Sequence, residues 1–164
     1  AKGVDILLNS FFQLREEDSK IKLLLIGSEI EDDLLHDVEN NSAIKYLGRL
    51  PNDLILKNMK MADCLIMPSV CYENSPTVIY EAMSANLPVI SSRIGGATEL
   101  IEKFGGLLFE SGNVHALQGA MRQMISNSSE IKKKPLPGRD ILEACNLEDD
   151  IKKIEVFIDC RRNF

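Results

Sequence analysis

Apolar positions along the chain follow two alternating patterns, one of helical period and one of short continuous runs. Stripes at the i, i+3, i+4 spacing indicate amphipathic helices, and short apolar runs bounded by glycine or proline indicate strands buried on both faces. The predicted strands are Lys22–Ile26, Ile44–Leu47, Cys64–Met67, Pro88–Ser91 and Gly106–Phe109. The predicted helices begin at or near Val4, Ser28, Pro51, Pro76, Ala97, Val114 and Leu147.

Local signals place the starts of two of these helices. Ser28 with Glu31 matches a capping box, in which a serine and a glutamate three residues later satisfy each other's backbone amides. Ser75 followed by Pro76 predicts an N-cap and then a proline at the first helical position. Asn86 should end that helix, because asparagine tolerates the left-handed conformation common at helix ends.

Strands that alternate with helices predict an α/β fold, a Rossmann-like parallel sheet flanked by helices on both faces. Such sheets bind their ligands at the carboxyl ends of the strands, where loops run into helix N-termini. A site is therefore expected near residues 27–28, 48–50, 68–76 and 91–96.

Composition narrows the classes of function. The chain has 19 basic and 25 acidic residues and a formal net charge of −6, which argues against a nucleic-acid partner. The four cysteines lack Cys-x-x-Cys spacing and suit reduced cytosolic thiols better than a zinc site or a disulfide framework. No apolar run reaches the roughly 18 residues of a membrane span, and the first residues lack the features of a signal peptide.

The segment 73–81 carries the candidate chemistry. Glu73 and Asn74 precede a predicted helix whose first-turn amides suit an anion such as a phosphate, and Glu81 lies further along the same helix. Two carboxylates beside an anion site suit a ligand with both hydroxyls and phosphates, namely a sugar nucleotide. Either glutamate alone would more often be a surface acid, and Gly95-Gly96 alone would be a turn.

The sequence ENSPTVIYEAMSANLPVI over residues 73–90 closely resembles the signature of glycosyltransferase family four. The shared pattern is two glutamates separated by seven residues, an Ala-Met step and a Pro-Val-Ile strand. Further matches lie upstream and downstream, at Lys2-Gly3, Leu23–Gly27, Tyr46–Gly48, Ala62-Asp63, Gly95-Gly96 and Glu99–Ile101. The resemblance covers residues 2–125 and implies the C-terminal, donor-binding half of a GT-B enzyme.

The resemblance implies a role for each matching position. Glu73 would contact hydroxyls of the donor sugar near its anomeric centre, Lys2 would bind the diphosphate, and Glu81 would hold the ribose. Glu73 and Lys2 are thus the candidate catalytic residues, with no nucleophile role assigned to Glu73. The other donor-binding positions are Asn74, Ser75, Pro76 and Thr77 for the sugar and diphosphate, Gly27 and Ser28 for the nucleotide, and Arg49 and Leu50 for the base.

The implied activity is retaining hexosyl transfer from a UDP-, GDP- or ADP-sugar to a glycan or lipid-linked acceptor. The implied setting is polysaccharide biosynthesis in the cytoplasm, with peripheral association at the inner face of the membrane. No Asp-x-Asp motif occurs, so metal-independent chemistry without a cofactor is expected. Two alternatives remain: a sugar-nucleotide enzyme of the same fold, such as a non-hydrolysing epimerase, and a non-catalytic nucleotide-sugar-binding domain.

The chain departs from the family pattern in three places. The family's apolar strand ending in Gly-Arg, expected before Lys2, is not in this sequence, so a strand should be missing near the centre of the sheet. The amino-terminal acceptor domain is also not in the sequence, and the fragment should be inactive alone. Asn86 stands where glycine is usual. The expected organisation is a nucleotide-sugar-binding domain over 1–126, a linker with a short helix over 127–146 and a C-terminal helix over 147–164 that packs toward the acceptor domain.

Overall fold

The computed structural model describes residues 2–27, 30–127 and 155–159, and helices alternate with strands throughout this part of the chain. The helices are α1 Val4–Glu17, α2 Asp32–Glu39, α3 Asn52–Met61, α4 Thr77–Ser84, α5 Gly95–Phe104 and α6 Val114–Ser126. The strands are β1 Lys22–Ile26, β2 Ile44–Tyr46, β3 Cys64–Met67, β4 Val89–Ser92, β5 Leu107–Phe109 and β6 Glu155–Asp159. The five strands predicted from apolar runs are all present.

The strands form one sheet in the order β2-β1-β6-β3-β4-β5. The pairs β1/β2, β3/β4 and β4/β5 are parallel, and β1 and β3 are each antiparallel to β6. The first five strands therefore all run in the same direction, which confirms the predicted parallel sheet. Their carboxyl ends share one edge of the sheet, where Met67 at the end of β3 lies opposite Ser91.

Helices cover both faces of the sheet. Side chains of β1 alternate between the faces: Leu23 and Leu25 belong to the apolar cluster that contains residues of α1 and α6, whereas Leu24 and Ile26 belong to the cluster that contains residues of α3, α4 and α5. Burial of apolar side chains on both faces explains why the strands are continuous apolar runs. It also confirms the predicted two-sided architecture.

The prediction of a helix over residues 147–161 is wrong where the structure describes this segment. Residues 155–159 form β6, in which Phe157 pairs with Leu24 on one side and with Leu65 on the other. A strand here satisfies the backbone groups of both neighbouring strands, which a helix could not do. The sequence Val-Phe-Ile within β6 also favours an extended conformation. Tertiary pairing has thus overridden the helical spacing of apolar residues.

Two further expectations depend on this region. A strand was expected to be missing near the centre of the sheet, but β6 joins β1 to β3 there and makes the sheet continuous. Residues 155–159, which fall within the predicted C-terminal helix, are accordingly part of the sheet. Apart from Asn127, the predicted linker over 127–146 lies outside the described residues.

Four helix starts differ from their predictions, and the smallest differences are of one residue, as in α3, which begins at Asn52 rather than at Pro51. α2 begins at Asp32 with Glu31 at its N-cap and no side-chain cap, so the predicted capping box with Ser28 is wrong, and Ser28 itself lies outside the described residues. Asp32 in the first turn stabilises the positive end of the helix dipole instead. α4 begins one residue later than predicted, since Pro76 is its N-cap in an extended conformation with ψ 109°.

α5 begins earlier than predicted, at Gly95 rather than at Ala97. The pair Gly95-Gly96 therefore forms the first turn of a helix and is not a free-standing turn. Asn86, with φ 53°, adopts the left-handed conformation expected of it just after α4.

Candidate active site

The site begins at the entry to α1, where Gly3 fixes the position of Lys2. Gly3 caps the helix in a left-handed conformation with φ 71°. A Cβ atom on this residue would lie 2.0 Å from the carbonyl oxygen of Pro68, in the loop after β3. Both constraints require glycine. The close approach brings the residue before it, Lys2, against the same loop.

Lys2 contacts Glu73 across 71 residues of sequence, with 2.5 Å between Nζ and Oε1. The lysine side chain is 34% exposed and that of the glutamate 17% exposed, so the pair lies at the margin of the protein. The two residues predicted to be catalytic are therefore adjacent. Their contact joins a cation to a carboxylate at the carboxyl edge of the sheet.

The loop that carries Glu73 is held in place by α5. The amide of Gly96 donates to the carbonyl of Glu73 at 2.8 Å. A Cβ atom on Gly96 would lie 1.7 Å from the carbonyl oxygen of Asn74, and one on Gly95 would lie 2.5 Å from that of Glu73. The first turn of α5 thus packs directly on the backbone of the loop, which only residues without a side chain allow.

A serine cluster that the sequence analysis missed fixes the other end of this loop. The buried carbonyl of Ser69 accepts hydrogen bonds from the hydroxyls of Ser92 at 2.6 Å and Ser111 at 3.3 Å. The Ser69 hydroxyl bonds the backbone of Cys71 and lies 3.5 Å from Oε1 of Glu73. Serine within the otherwise apolar β4 was the available signal, since buried polar side chains need partners.

The start of α4 follows this loop directly. Pro76 is buried, whereas Asn74 and Ser75 are exposed, and Thr77 opens the helix. The Ser75 hydroxyl donates to that of Tyr80 at 3.2 Å, so the serine does not cap the helix as predicted. The first amides of any helix lack carbonyl partners within it and carry its positive end. The predicted anion position is thus next to Lys2 and Glu73.

Glu81 lies about one turn into α4 and is partly buried. It is on the same helix as the anion position, as predicted. The two carboxylates thus belong to different elements, that of Glu73 to the loop after β3 and that of Glu81 to α4.

The expected nucleotide side of the site is formed by the ends of β1 and β2. The amide of Gly27 donates to the carbonyl of Gly48 at 2.9 Å, and the Tyr46 hydroxyl to the carbonyl of Gly27 at 3.3 Å. Arg49 is exposed, whereas the side chain of Leu50 is partly buried and packs against the core. These ends are separated from β3 by β6, a spacing of about 9–10 Å between β1 and β3.

Two other properties concern the described residues alone. Among them, no three histidine, cysteine, aspartate or glutamate side chains are grouped so that they could hold a metal ion. In the same part of the chain, no helix combines the length and the apolar character needed to cross a membrane.

Known proteins resemble the chain in both sequence and structure. An uncharacterized glycosyltransferase of Methanocaldococcus jannaschii is 34% identical over 134 residues, which cover 80% of this chain and 37% of that protein. The amylovoran biosynthesis glycosyltransferase AmsK of Erwinia amylovora is 26% identical over 87% of this chain and 37% of its own length. The chain therefore spans well under half the length of these curated relatives.

Among solved structures, HepE of Anabaena in complex with UDP-glucose matches with a TM-score of 0.69 at 23% identity, over 87% of this chain and 41% of that one. This similarity is one of fold. The family model for glycosyl transferases group 1 matches residues 1–135, most of the chain. The chain belongs to the glycosyl transferases group 1 family and has an α/β fold found in GT-B glycosyltransferases.

Proposed function

We propose that this chain binds a nucleoside-diphosphate sugar at the carboxyl edge of its sheet and forms the donor side of a retaining hexosyltransferase. The observation that carries the proposal is the contact between Lys2 and Glu73 beside the start of α4. This contact supports the proposal because a cation suited to a diphosphate and a carboxylate suited to sugar hydroxyls lie together, in the loop that leads into a helix N-terminus. The structure of HepE with UDP-glucose supports a nucleotide sugar as the ligand class.

Each group has a distinct task in the proposed reaction. The bond between the anomeric carbon and the diphosphate breaks, an acceptor hydroxyl bonds that carbon, and the hydroxyl proton passes to the departing diphosphate or to water. Negative charge grows on the departing diphosphate, where Lys2 and the amides at the start of α4 stabilise it more strongly than in the bound donor. Glu73 orients the sugar through its hydroxyls, and Glu81 accepts a hydrogen bond from the ribose.

The acceptor is proposed to be a glycan or a lipid-linked sugar, bound by a part of the protein outside this chain. The relatives support this division, because the chain spans only 37% of the length of either curated relative. AmsK supports a setting in polysaccharide biosynthesis, since its name assigns it to amylovoran biosynthesis.

Metal-independent transfer is part of the proposal. Lys2 supplies positive charge where a divalent cation would otherwise neutralise the diphosphate, and the sequence has no Asp-x-Asp pair to hold such a cation. Transfer by the complete protein should therefore continue in excess EDTA at a rate within about twofold of that in magnesium. A loss of transfer in EDTA that magnesium restores would contradict this part.

The ligand is tested by calorimetry on this chain with UDP-, GDP- and ADP-sugars. One of them should bind. The Glu81→Gln substitution should lower the affinity for that donor by about tenfold, because a hydrogen bond to a charged group contributes about 1.5–3 kcal/mol. The 2′- and 3′-deoxyribose analogues of that donor are the matched control. At least one analogue lacks the hydroxyl that Glu81 binds, so it should bind wild type and Glu81→Gln with the same affinity. If the substitution weakened binding of the donor and of both analogues equally, Glu81 would not bind the ribose.

The reaction class is tested on the complete protein by NMR of its products. A new glycosidic bond with the anomeric configuration of the donor is expected. An inverted product would contradict retention. An isomerised sugar nucleotide formed without an acceptor would instead identify an epimerase, and binding without any reaction would identify a non-catalytic binding domain.

A further inference from the structure

The ion pair between Lys2 and Glu73 has a consequence for ligand binding. The ammonium of Lys2 lies 2.5 Å from the Glu73 carboxylate. Under the proposed function, however, the same ammonium binds the diphosphate of the donor. A lysine has three N–H donors, but a carboxylate in contact with it takes up one of them and partly neutralises its charge. The carboxylate and the diphosphate therefore compete for one cation.

Lys2 is the member of the pair that is free to turn. Glu73 is fixed by its backbone, whose carbonyl accepts from Gly96, and Oε1 lies near the Ser69 hydroxyl. The backbone next to Lys2 is fixed by Gly3 against Pro68, but the lysine side chain is twice as exposed as that of Glu73, 34% against 17%. A flexible four-carbon stem lets the ammonium exchange partners while the carboxylate stays in place.

We infer that Glu73 acts as an internal competitor for Lys2 that weakens the binding of a free nucleoside diphosphate. This inference rests on the proposed function and adds a regulation of the same site. When the donor is intact, its sugar hydroxyls engage Glu73 and leave Lys2 to the diphosphate. After transfer the sugar has gone, Glu73 recovers Lys2, and the diphosphate product loses its cation. The ion pair thus favours binding of the intact donor over binding of the diphosphate product.

The test is a double-mutant cycle on the full chain, with Lys2→Met, Glu73→Gln and their combination. Calorimetry with UDP, GDP and ADP identifies the diphosphate that binds the wild-type chain best, and that nucleotide is used throughout. Glu73→Gln should tighten its binding by about two- to tenfold, the range expected when one partly exposed ion pair is removed. In the Lys2→Met background, the same substitution should produce no tightening.

The cycle separates this competition from simple charge repulsion. If the carboxylate only repels the diphosphate through space, Glu73→Gln will tighten binding equally in both backgrounds, and the inference is overturned. Unchanged or weaker binding by the Glu73→Gln variant overturns it as well. Glu39→Gln is the matched control for net charge, because Glu39 ends α2 near the opposite edge of the sheet. It should leave the affinity unchanged.

Three further outcomes remain interpretable. If Glu73→Gln fails to fold, as shown by thermal unfolding, then Glu73→Ser takes its place in the cycle. If no nucleotide binds the wild-type chain at millimolar concentration, the proposed function fails and the inference fails with it. If wild type binds but the cycle shows no coupling between the two positions, only the inference fails.

Discussion

At the scale of single residues, glycines determine how closely the backbone segments of the site approach one another. Gly3 contacts the loop after β3 from one side, and Gly95 and Gly96 contact it from the other. Each approach brings a backbone carbonyl into the space that a side chain would occupy. The position of Glu73 therefore depends on three residues that carry no functional group.

Gly96→Ala is expected to be strongly destabilising. The new methyl group would lie 1.7 Å from the carbonyl oxygen of Asn74, so α5 or the loop must move. We expect a loss of about 1–3 kcal/mol in the free energy of unfolding, together with weaker nucleotide binding. Chemical denaturation and calorimetry measure the two effects.

Gly119→Ala is the matched control for this substitution. Gly119 is also helical, within α6, but it is exposed and a Cβ atom there meets nothing within 4 Å. Alanine should stabilise the protein at this position by about 0.5–1 kcal/mol, because it favours the helix over glycine. Equal effects of the two substitutions would show that the close approach of α5 to the loop is not a constraint.

The charged residues of the site could be predicted from the sequence, but the serine cluster could not. Lys2 and Glu73 belong to a recognisable pattern, and the structure brings them into contact. The cluster around Ser69 could not be predicted in this way, because it joins a loop, the end of β4 and the segment after β5. Hydrogen bonds between distant segments depend on how the elements pack, and serine in a loop is too common to indicate them.

At the scale of elements, α1 and α6 are joined by a surface ion pair. The Arg122 guanidinium donates to the Glu17 carboxylate, with 2.8 Å between Nε and Oε2. The hydrogen bond from Arg122 is the main cause that holds the pKa of the Glu17 carboxyl below its ordinary value. This pKa is lower in the folded than in the unfolded chain. The pair therefore stabilises the folded protein at pH values above the ordinary pKa, and this stabilisation is lost as the pH falls through the lowered pKa.

Arg122→Gln should therefore lower the melting temperature slightly at neutral pH, and the difference from wild type should narrow in acid. Both side chains are about half exposed, so added salt should narrow the difference as well. Thermal unfolding across pH and salt measures both trends, with Glu17→Gln as the partner variant in a double-mutant cycle. A difference that stays constant from neutral to acid pH would mean that Arg122 acts through packing alone.

The position of β6 within the sheet leads to a second prediction at the scale of elements. It lies between two strands, so each of its backbone amides faces one neighbour or the other. Phe157→Pro removes one of these amides and should lower the free energy of unfolding by about 1–3 kcal/mol or more. Phe157→Val, which keeps the amide and a strand-forming side chain, is the control and should be clearly less destabilising.

Chemical denaturation of these two variants also tests the strand itself. Similar stabilities of the proline and valine variants would contradict a paired strand at this position. Backbone chemical shifts give an independent measure, because residues 156–158 should show extended rather than helical values.

The strands β1 to β5 could be predicted because each is a short apolar run close to a glycine or a proline. β3 was predicted with its observed ends, and β4 was displaced by one residue. β6 could not be predicted, because its apolar residues also fit the helical spacing and its partners are about 90 and 130 residues away in sequence. Which pattern is realised depends on the gap between β1 and β3, which only the folded sheet creates.

At the scale of the whole molecule, the two apolar clusters position the site without being part of it. They bury both faces of the sheet and leave its carboxyl edge for loops and helix starts. The fold class could be predicted from the alternation of elements, and the ligand-binding edge follows from the direction of the strands. The identity of the sugar and base cannot be predicted in this way, because the fold is shared by enzymes with many different substrates.

The central claim is that a nucleoside-diphosphate sugar binds at this edge. Amide chemical shifts of the isotope-labelled chain, recorded while the best-binding donor is added, test it most directly. The account predicts that the shifts concentrate at Gly27, at residues 48–50 and at Asn74, Ser75 and Thr77, and that the opposite edge near Ala43 and Val89 is unchanged. Shifts confined to that opposite edge, or none at saturating donor, would contradict the account.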